Sequence, residues 1–296
     1  MRTNEGTAPP IWSIGMFAGE SPFRLASPPG LRNPVLTHDD VIDVQAAFVA
    51  DPFMLRTGGL WHMFFEIMMS NPARGVIGLA VSSDARRWTY RSVVVEEPFH
   101  LSYPYVFQWH GAYYMIPETL DAGYIRLYRA ASFPDRWIHA ADLVQGSFAD
   151  ASILRHQGRW WIFACGTPHR HDQLRLFHSR QLTGPWLEHR QSPLIDGDAR
   201  VARPGGRLMR WRGHWVRYAQ DCVPTYGSQV RAFQITSLTP EDYREKPVTE
   251  GPVLAPNGEP WTACGVHHLD PHPDGAGGWI ACVDGHGHPN GVTHKQ

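Results

Sequence analysis

Cysteine is scarce in this 296-residue chain, and its spacing excludes more than its number does. Cys165, Cys222, Cys264 and Cys282 contain no C-x-x-C pair, so neither a zinc knuckle nor a dithiol redox motif is present. Buried free thiols are the expected state, because cysteine is among the most buried residue types. An excess of one charge is missing as well. Lys+Arg 27 against Asp+Glu 28 leaves a formal net charge of -1, with no basic stripe for a phosphate backbone, and nucleic acid is excluded as a partner. No apolar run approaches the ~18 residues of a membrane span, so none is expected. Met1–Gly6 lead into no apolar leader core, which makes a cytoplasmic protein the default expectation. Long helical patterns and a linker marking a second domain are also lacking.

What is abundant points to strands. The chain is 43% hydrophobic, with Trp 12, Phe 13 and Tyr 10 beside Gly 28 and Pro 25. Aromatics suit pleated, half-buried surfaces, and Gly and Pro supply tight turns. Asp51–Leu55 and Leu60–Glu66 read as two short strands joined by a turn at Gly58-Gly59, with an acid at each outer end. In a hairpin those two ends lie side by side.

That hairpin recurs. Gly59-Leu60-Trp61, Gly111-Ala112-Tyr113, Gly158-Arg159-Trp160, Gly213-His214-Trp215 and Gly277-Gly278-Trp279 each open a returning apolar strand. Their first glycines stand 52, 47, 55 and 64 residues apart. First strands precede them at Asp51–Leu55, Tyr103–Gln108, Asp150–Arg155, Gly205–Arg210 and His267–Asp270. Third strands follow at Val76–Val81, Tyr124–Arg129, Leu174–His178 and Gln229–Ile235, and fourth strands are headed by Trp88, Trp137, Trp186 and Tyr243. A four-stranded unit of about 50 residues repeated radially is a propeller blade. The expected fold is therefore an all-β, five-bladed β-propeller over 1–296, with blades starting near 48, 101, 148, 202 and 262. The fifth unit is two strands short, and 286–296 form a polar tail. Residues 1–47, which hold the strand-like Ile11–Phe17, are expected to complete it and so remove an open sheet edge.

In a propeller the innermost strands line the axis, and their starts share one rim with the ends of the second strands. The starts supply Asp51, Tyr103, Asp150, Arg203 and His267-His268. The ends supply Glu66, Glu118, Gln220-Asp221 and Asp284. Each has a structural reading: Asp51 before Pro52 as a turn former, Arg203 as a counter-ion, the histidines as core residues. Their convergence favours chemistry, since carboxylates gathered at one mouth repel unless they bind a sugar, a metal or a proton. Paired carboxyl groups with displaced pKa values are the apparatus of glycoside hydrolysis. No cofactor is required. The one metal the pattern allows is a hydrated Ca²⁺ near His267 and His268. Ser82–Trp88 resembles the Asp-box turns of sialidase propellers and is expected to serve as a blade turn.

Ala50-Asp51-Pro52-Phe53, Asp150-Ala151-Ser152-Ile153-Leu154 and the Gly-x-aromatic hairpins resemble the five-bladed furanosidase superfamily of arabinanases, xylosidases and invertases. That resemblance implies Asp51 as base or nucleophile and Asp150 as the residue that tunes the acid. Trp12-Ser13-Ile14-Gly15, Asn33-Pro34-Val35-Leu36, Glu97–Pro104, Met115–Glu118, Ala202–Gly206, Tyr218–Asp221 and Val266–His268 resemble the N-terminal domain of plant glucosamine inositolphosphorylceramide transferases, which also occurs alone in bacteria. The transferase chemistry belongs to a separate C-terminal domain and is not carried over. Blade four opens on Arg203 where the furanosidases have a glutamate, so Glu118 is taken as the acid, with Glu66 second.

The expected function is that of a carbohydrate-active, glycoside-hydrolase-like protein acting on a furanoside or small glycan. Asp51, Glu118 and Asp150 would carry the chemistry. Glu66, Tyr103, Arg203, Gln220, Asp221, His267 and His268 would bind substrate. Two alternatives stand beside it: a non-catalytic module that binds a glycan or glycolipid headgroup for a transferase, and a cyclase or lyase working on a non-sugar substrate in a deep apolar pocket.

Overall fold

The computed structural model describes residues 9–288. Among them the only helical segments are the single 3-10 turns His38–Asp40, Leu120–Ala122 and Pro260–Thr262, and no helix is long and apolar enough to cross a membrane. Everything else of regular structure is strand, in five antiparallel sheets.

Blade one runs Ala46–Thr57, Leu60–Ser70, Ala73–Ser82 and Thr89–Val95 from the axis outward. Blade two runs Ser102–Trp109, Ala112–Glu118, Tyr124–Ser132 and Arg136–Gln145. Blade three is Ala149–His156, Arg159–Cys165, Gln173–Ser179 and Leu187–Glu188, with Ile195–Asp196 also paired to its third strand. Blade four is Met209–Trp211, His214–Asp221, Gln229–Leu238 and Tyr243–Pro247.

Blade five is composite. Leu269–Pro273 and Trp279–Gly287 come from the C-terminal end, and Ile11–Ser21 and Arg24–Ala26 from the N-terminal end. The closing pair runs without a break from Ile11↔Gly287 to Gly19↔Trp279. This ladder leaves no unpaired edge where the ring meets itself. Trp261 lies flat over the pair, and that contact dictates two glycines. A Cβ on Gly15 would meet Trp261 Cη2 at 2.4 Å, and one on Gly285 would meet Cε3 at 2.5 Å.

A core fills each junction between blades. Phe53, Leu79, Tyr105, Ile116 and Trp160 join blades one to three. Ile14, Val49, Phe65 and Cys282 join blade five to blade one. Tyr218, Val230, Leu269 and Val283 join blades four and five, and Trp161, Leu176, Ile235 and Tyr243 join three and four. Each such side chain contributes roughly 1.5–3 kcal/mol by leaving water, so the ring is held by apolar seams rather than by its rim.

Some expectations need correction. Blade four's innermost strand is only Met209–Trp211, shorter than Gly205–Arg210, because Pro204 and Gly206 sit in isolated bridges before it. Blade five's innermost strand starts at Leu269, so His267 and His268 precede it. The last strand reaches Gly287, two residues into the expected tail, and 289–296 lie outside the described residues. Cys165, Cys222 and Cys282 are buried free thiols as expected, but Cys264, in the connection after the Pro260–Thr262 turn, is exposed. Ser82–Trp88 is a blade turn: Asp84 Oδ1 accepts the N–H groups of Arg86 and Arg87 at 2.8 and 2.9 Å.

Candidate active site

The innermost strands of blades one, two and three begin with the same irregularity. Asp51, Tyr103 and Asp150 have φ of 53°, 46° and 52°, in the left-handed region that side chains other than glycine rarely adopt. At each one the pairing skips. Ala50 faces Glu66 but Phe53 faces Phe64, and equivalent bulges follow Ser102 and Ala149. A bulge sets two residues against one and turns the strand. Strain repeated at three matching positions has to be offset locally, and such residues cluster at functional sites.

The offset comes from the acids. Each bulge N–H points into the preceding blade. Asp51 N donates to Asp284 Oδ2 (3.0 Å), Tyr103 N to Asp51 Oδ2 (3.3 Å), and Asp150 N to Glu118 Oε2 (3.3 Å). Blade four closes the series with a side chain: Arg203 Nε donates to Asp150 Oδ2 at 2.6 Å, joined there by Gln220 Nε2 at 2.6 Å. Part of the carboxylate register is thus a set of ties between blades.

Other oxygens are not consumed this way. Asp51, Glu66, Glu118, Arg203 and His267 face a pocket of about 190 Å³ at the mouth, walled also by Trp12, His100 and Tyr226. Asp51 Oδ1 is buried without a hydrogen-bond partner. Glu66 makes no hydrogen bond among the described residues, and its one close polar contact is His100 Nε2 at 3.5 Å. Gly75 N–H donates to His100 Nδ1 at 2.9 Å, which makes Nε2 the protonated nitrogen of a neutral ring, turned toward Glu66. Two larger grooves, of about 400 and 460 Å³, are walled by Arg159, His178 and Leu187 and by Trp211, Gln234 and Lys246, and share no residue with this pocket.

Burial sets the electrostatics. It pushes Asp51 up to about 7, with His267 pulling it back and Asp150 and Asp284 pushing further. It pushes Glu118 up to about 8, helped by the charge of Asp150 and opposed by Arg203. Glu66 is raised well above the usual carboxyl range by burial and then by Asp51 and Glu118. Burial also disfavours a charged His267, but Asp284 and Asp51 outweigh it and the ring is raised. Burial works against Asp284 ionising too, and there His267 prevails and the carboxyl is lowered.

The remaining sequence-predicted residues divide. Gln220 is fully buried and serves Asp150 and Pro204 O, below the mouth. Tyr103 is also fully buried; its hydroxyl meets Ser152 Oγ at 2.8 Å and accepts from Gly206 N at 2.7 Å. His268 stands edge-on to Phe53 and Tyr103 with neither ring nitrogen partnered, and burial lowers it to about 4. Asp221 lies outside the pocket wall, its carboxylate taken by Gln229, Arg231 and the N–H of Val223. Sequence reasoning did not assign Trp12, His100, Tyr226 or His171 to the site. Trp12 stacks on His267 with ring centroids 4.0 Å apart, and Arg203 lies 5.1 Å from the ring centre of Tyr226. Arg203 also donates to His171 Nδ1 at 2.9 Å and Pro168 O at 3.0 Å.

Asp51, His267 and Asp284 bring ligand atoms within 4.8 Å of one another. Asp284 Oδ1 already accepts the N–H groups of His267 and His268, and its Oδ2 takes Asp51 N and faces His267 Nδ1 at 2.7 Å. Asp51 Oδ1 is the one free oxygen of the set. These donors alone fall short of the about six to eight oxygens of a calcium shell, and water would have to supply the rest; no catalytic step is routed through a metal.

The chain matches the family described as glucosamine inositolphosphorylceramide transferase 1, N-terminal, over residues 3–286. It belongs to that family. It is 36% identical to glucosamine inositolphosphorylceramide transferase 1 of Oryza sativa subsp. japonica, across 96% of this chain and 41% of the relative. Against the Arabidopsis thaliana protein of the same name the identity is 33%, across 95% of this chain and 39% of the relative. The chain therefore spans about two-fifths of the curated relatives it matches. Among solved structures it is similar to the catalytic domain of the Coprinopsis cinerea GH62 α-L-arabinofuranosidase, with TM-score 0.61 and 12% identity over 82% of this chain and 91% of that one. It is also similar to the Cellvibrio cellulosa α-L-arabinanase complexed with arabinohexaose, with TM-score 0.52 and 18% identity over 67% and 77%. These likenesses establish the fold.

Proposed function

We propose that the chain is a carbohydrate-active protein of the glycoside-hydrolase type, acting on a furanoside or another small glycan one ring at a time. The observation that carries this reading is a pair of buried acids from adjacent blades, Asp51 and Glu118, facing one small pocket with their pKa values raised to about 7 and about 8. Near neutral pH the first is available as a base and the second as a proton donor, the division of labour that glycoside cleavage needs. Asp51 Oδ1, free of internal partners, takes the proton of water or attacks the anomeric carbon. Glu118 protonates the leaving oxygen. Asp150 is a positioning residue: its N–H holds Glu118 Oε2, and Arg203 and Gln220 hold its carboxylate. Tyr226, 40% exposed at the lip, offers an aromatic face to a sugar. The sugar-binding folds of the arabinanase and arabinofuranosidase neighbours support the reading.

A second reading is a glycan- or headgroup-binding module that serves a partner transferase. It is favoured by the share of the transferase-named relatives that this chain spans and by Arg203 standing where blade four would otherwise offer an acid. A screen of aryl furanosides and pyranosides tests both. General acid–base removal lowers rates by about 10²–10⁴-fold, so Asp51→Asn and Glu118→Gln should each lower kcat/KM by that factor on any glycoside the wild type cleaves. Variants with wild-type turnover would remove the hydrolytic reading. Tight binding with no product by mass spectrometry would leave the binding module.

A further inference from the structure

The face opposite the mouth carries the opposite charge. In every blade the first two strands are joined by a hairpin turn at the end away from the mouth, so the five turns ring one face. Residues 56–60, 109–112, 155–159, 210–214 and 273–279 form them. They hold Arg56, Arg155, Arg159, Arg210 and Arg212 against one acid, Asp274, in a chain whose formal net charge is -1. Asp274 spends Oδ1 on the N–H groups of Ala276 and Gly278, at 2.7 and 2.9 Å within its own turn. The ion pairs among the described residues engage other arginines, such as Arg74, Arg203 and Arg217, and none of these five. Four of the five lie over tryptophan rings instead. Arg56 sits on Trp61 and Arg155 on Trp109, 5.7 and 4.6 Å from the ring centres. Arg210 sits on Trp215 and Arg212 on Trp211, at 5.5 and 5.3 Å. A guanidinium already held over an indole loses little freedom on binding, and its N–H fork fits an oxyanion.

The two larger grooves open beside these turns. That of blade three, about 400 Å³, has Arg159, Arg180 and His178 in its wall, and His178 Nδ1 is buried without a partner. That of blade four, about 460 Å³, has Trp211, Arg212 and Lys246. Neither wall contains a carboxylate. Each groove has more than twice the volume of the mouth pocket of about 190 Å³. We infer that the hairpin face of blades three and four binds an acidic polysaccharide. Its carboxylate or sulfate groups would meet Arg159 and Arg180 in one groove and Arg212 and Lys246 in the next. The charge is too sparse for a nucleic acid, which presents a phosphate every ~1.7 Å of duplex, whereas these arginines come one or two to a turn and a blade apart. A bilayer is disfavoured too, because Leu60 is the one large apolar side chain exposed in the five turns. A glycan charged once every ring or two matches that spacing. This inference concerns a second face and does not depend on the reading of the mouth.

The test is titration calorimetry of the whole chain with polygalacturonate and dextran sulfate, and with uncharged dextran beside them. At least one acidic polymer should bind about tenfold or more tighter than dextran, the sum of a few exposed charge contacts. Its affinity should fall about threefold or more between about 0.05 M and about 0.3 M salt, because exposed charges are screened. Arg159→Gln with Arg180→Gln, and separately Arg212→Gln with Lys246→Gln, should each weaken it by about three- to tenfold. These changes lie outside the apolar seams, and circular dichroism checks that the variants are folded. Binding of polygalacturonate alone assigns carboxylate as the recognised group, and binding of dextran sulfate alone assigns sulfate. Dextran bound as tightly as the acidic polymers overturns the inference, and so do double variants with wild-type affinity. Tighter binding of duplex DNA, or of vesicles of phosphatidylserine and phosphatidylcholine, overturns it in favour of those surfaces. Failure of both acidic polymers to bind overturns it outright. A failure to cleave glycosides counts against the reading of the mouth alone, because no turnover enters this measurement.

Discussion

Two buried acid sites lie one above the other on the same axis, and they are built to opposite rules. At the mouth stand Asp51, Glu66 and Glu118, raised by burial and only partly met by cations. Three residues further along the innermost strands stands Asp270. Arg207 binds its carboxylate and also donates to Met54 O of blade one (3.1 Å) and Val106 O of blade two (2.9 Å). His272 Nε2 lies 3.1 Å from the same carboxylate, and Met54 N donates to it. Burial alone would raise Asp270, but Arg207 and then His272 overcome it and hold the carboxyl well below the ordinary range. The fold can therefore neutralise a buried carboxylate completely when the acid serves the architecture. At the mouth it stops short, the arrangement that the proposed function requires of groups kept for a ligand.

The comparison breaks most visibly at the lower site. Arg207→Met leaves Asp270 charged, buried and unpaired, and removes donors that link the innermost strands of four blades. Loss of one partner from a buried pair costs about 3–5 kcal/mol, and chemical denaturation of Arg207→Met should show a loss of that order. A cost of less than about 1 kcal/mol, typical of exposed pairs, would make the lower site no more structural than the surface.

Only the mouth's side of this contrast was legible in the sequence, and the physical reason is periodicity. A blade must place an aromatic after its turn and a small set of residues at each strand end, so Asp51, Glu66, Glu118, Asp150 and Asp284 could be aligned by counting from the hairpin glycines. The ring's closure followed from a fifth unit two strands short. Features off the repeat were not readable. His100, His171 and Tyr226 sit in connections between strands, where nothing fixes their register. Trp12 pairs with His286, 274 residues away along the chain, and pairing across such a separation leaves no local pattern. The left-handed bulges were invisible for another reason. Positive φ is usually announced by glycine, and here Asp51, Tyr103 and Asp150 adopt it because carboxylates of the preceding blade capture their N–H groups. The fates of Tyr103 and Asp221 also turn on side-chain direction, which strand counting does not fix.

The stability of the mouth should have the opposite sign. Glu118 is raised in the folded state to about 8 from an ordinary value near 4.5. A raised acid binds its proton more tightly folded than unfolded, so its contribution is fully present below the unfolded pKa and is lost as pH rises through about 8. Glu118→Gln removes that loss. The variant should match the wild type near pH 4 and exceed it by about 0.5–2 kcal/mol at pH 8, the usual scale of a stability–activity trade-off. Thermal melts of both proteins across that range check it. A variant that is less stable at pH 8 would mean that Glu118 is chiefly a tie between blades.

The finest distinction is between the two arginines. Arg207 fully offsets its acid, whereas Arg203 only restrains one. Its Nη2 is 3.5 Å from Glu118, and its Nε holds Asp150, whose charge pushes Glu118 up. Arg203→Gln weakens both effects in the same direction: the opposing cation is gone and Asp150 is left less neutralised. The midpoint of Glu118 should therefore move upward from about 8, so that the carboxyl stays protonated to higher pH. Difference infrared spectra of the carboxyl stretch, assigned by the band missing in Glu118→Gln, report that midpoint without any substrate. Read as a titration midpoint, the shift is the smallest of these effects, and the loss of the buried Arg203–Asp150 tie is a separate cost in stability. A downward or absent shift would mean that Arg203 acts on Glu118 only through the backbone of Asp150, and the mouth would then be held by the same kind of tie as the site beneath it.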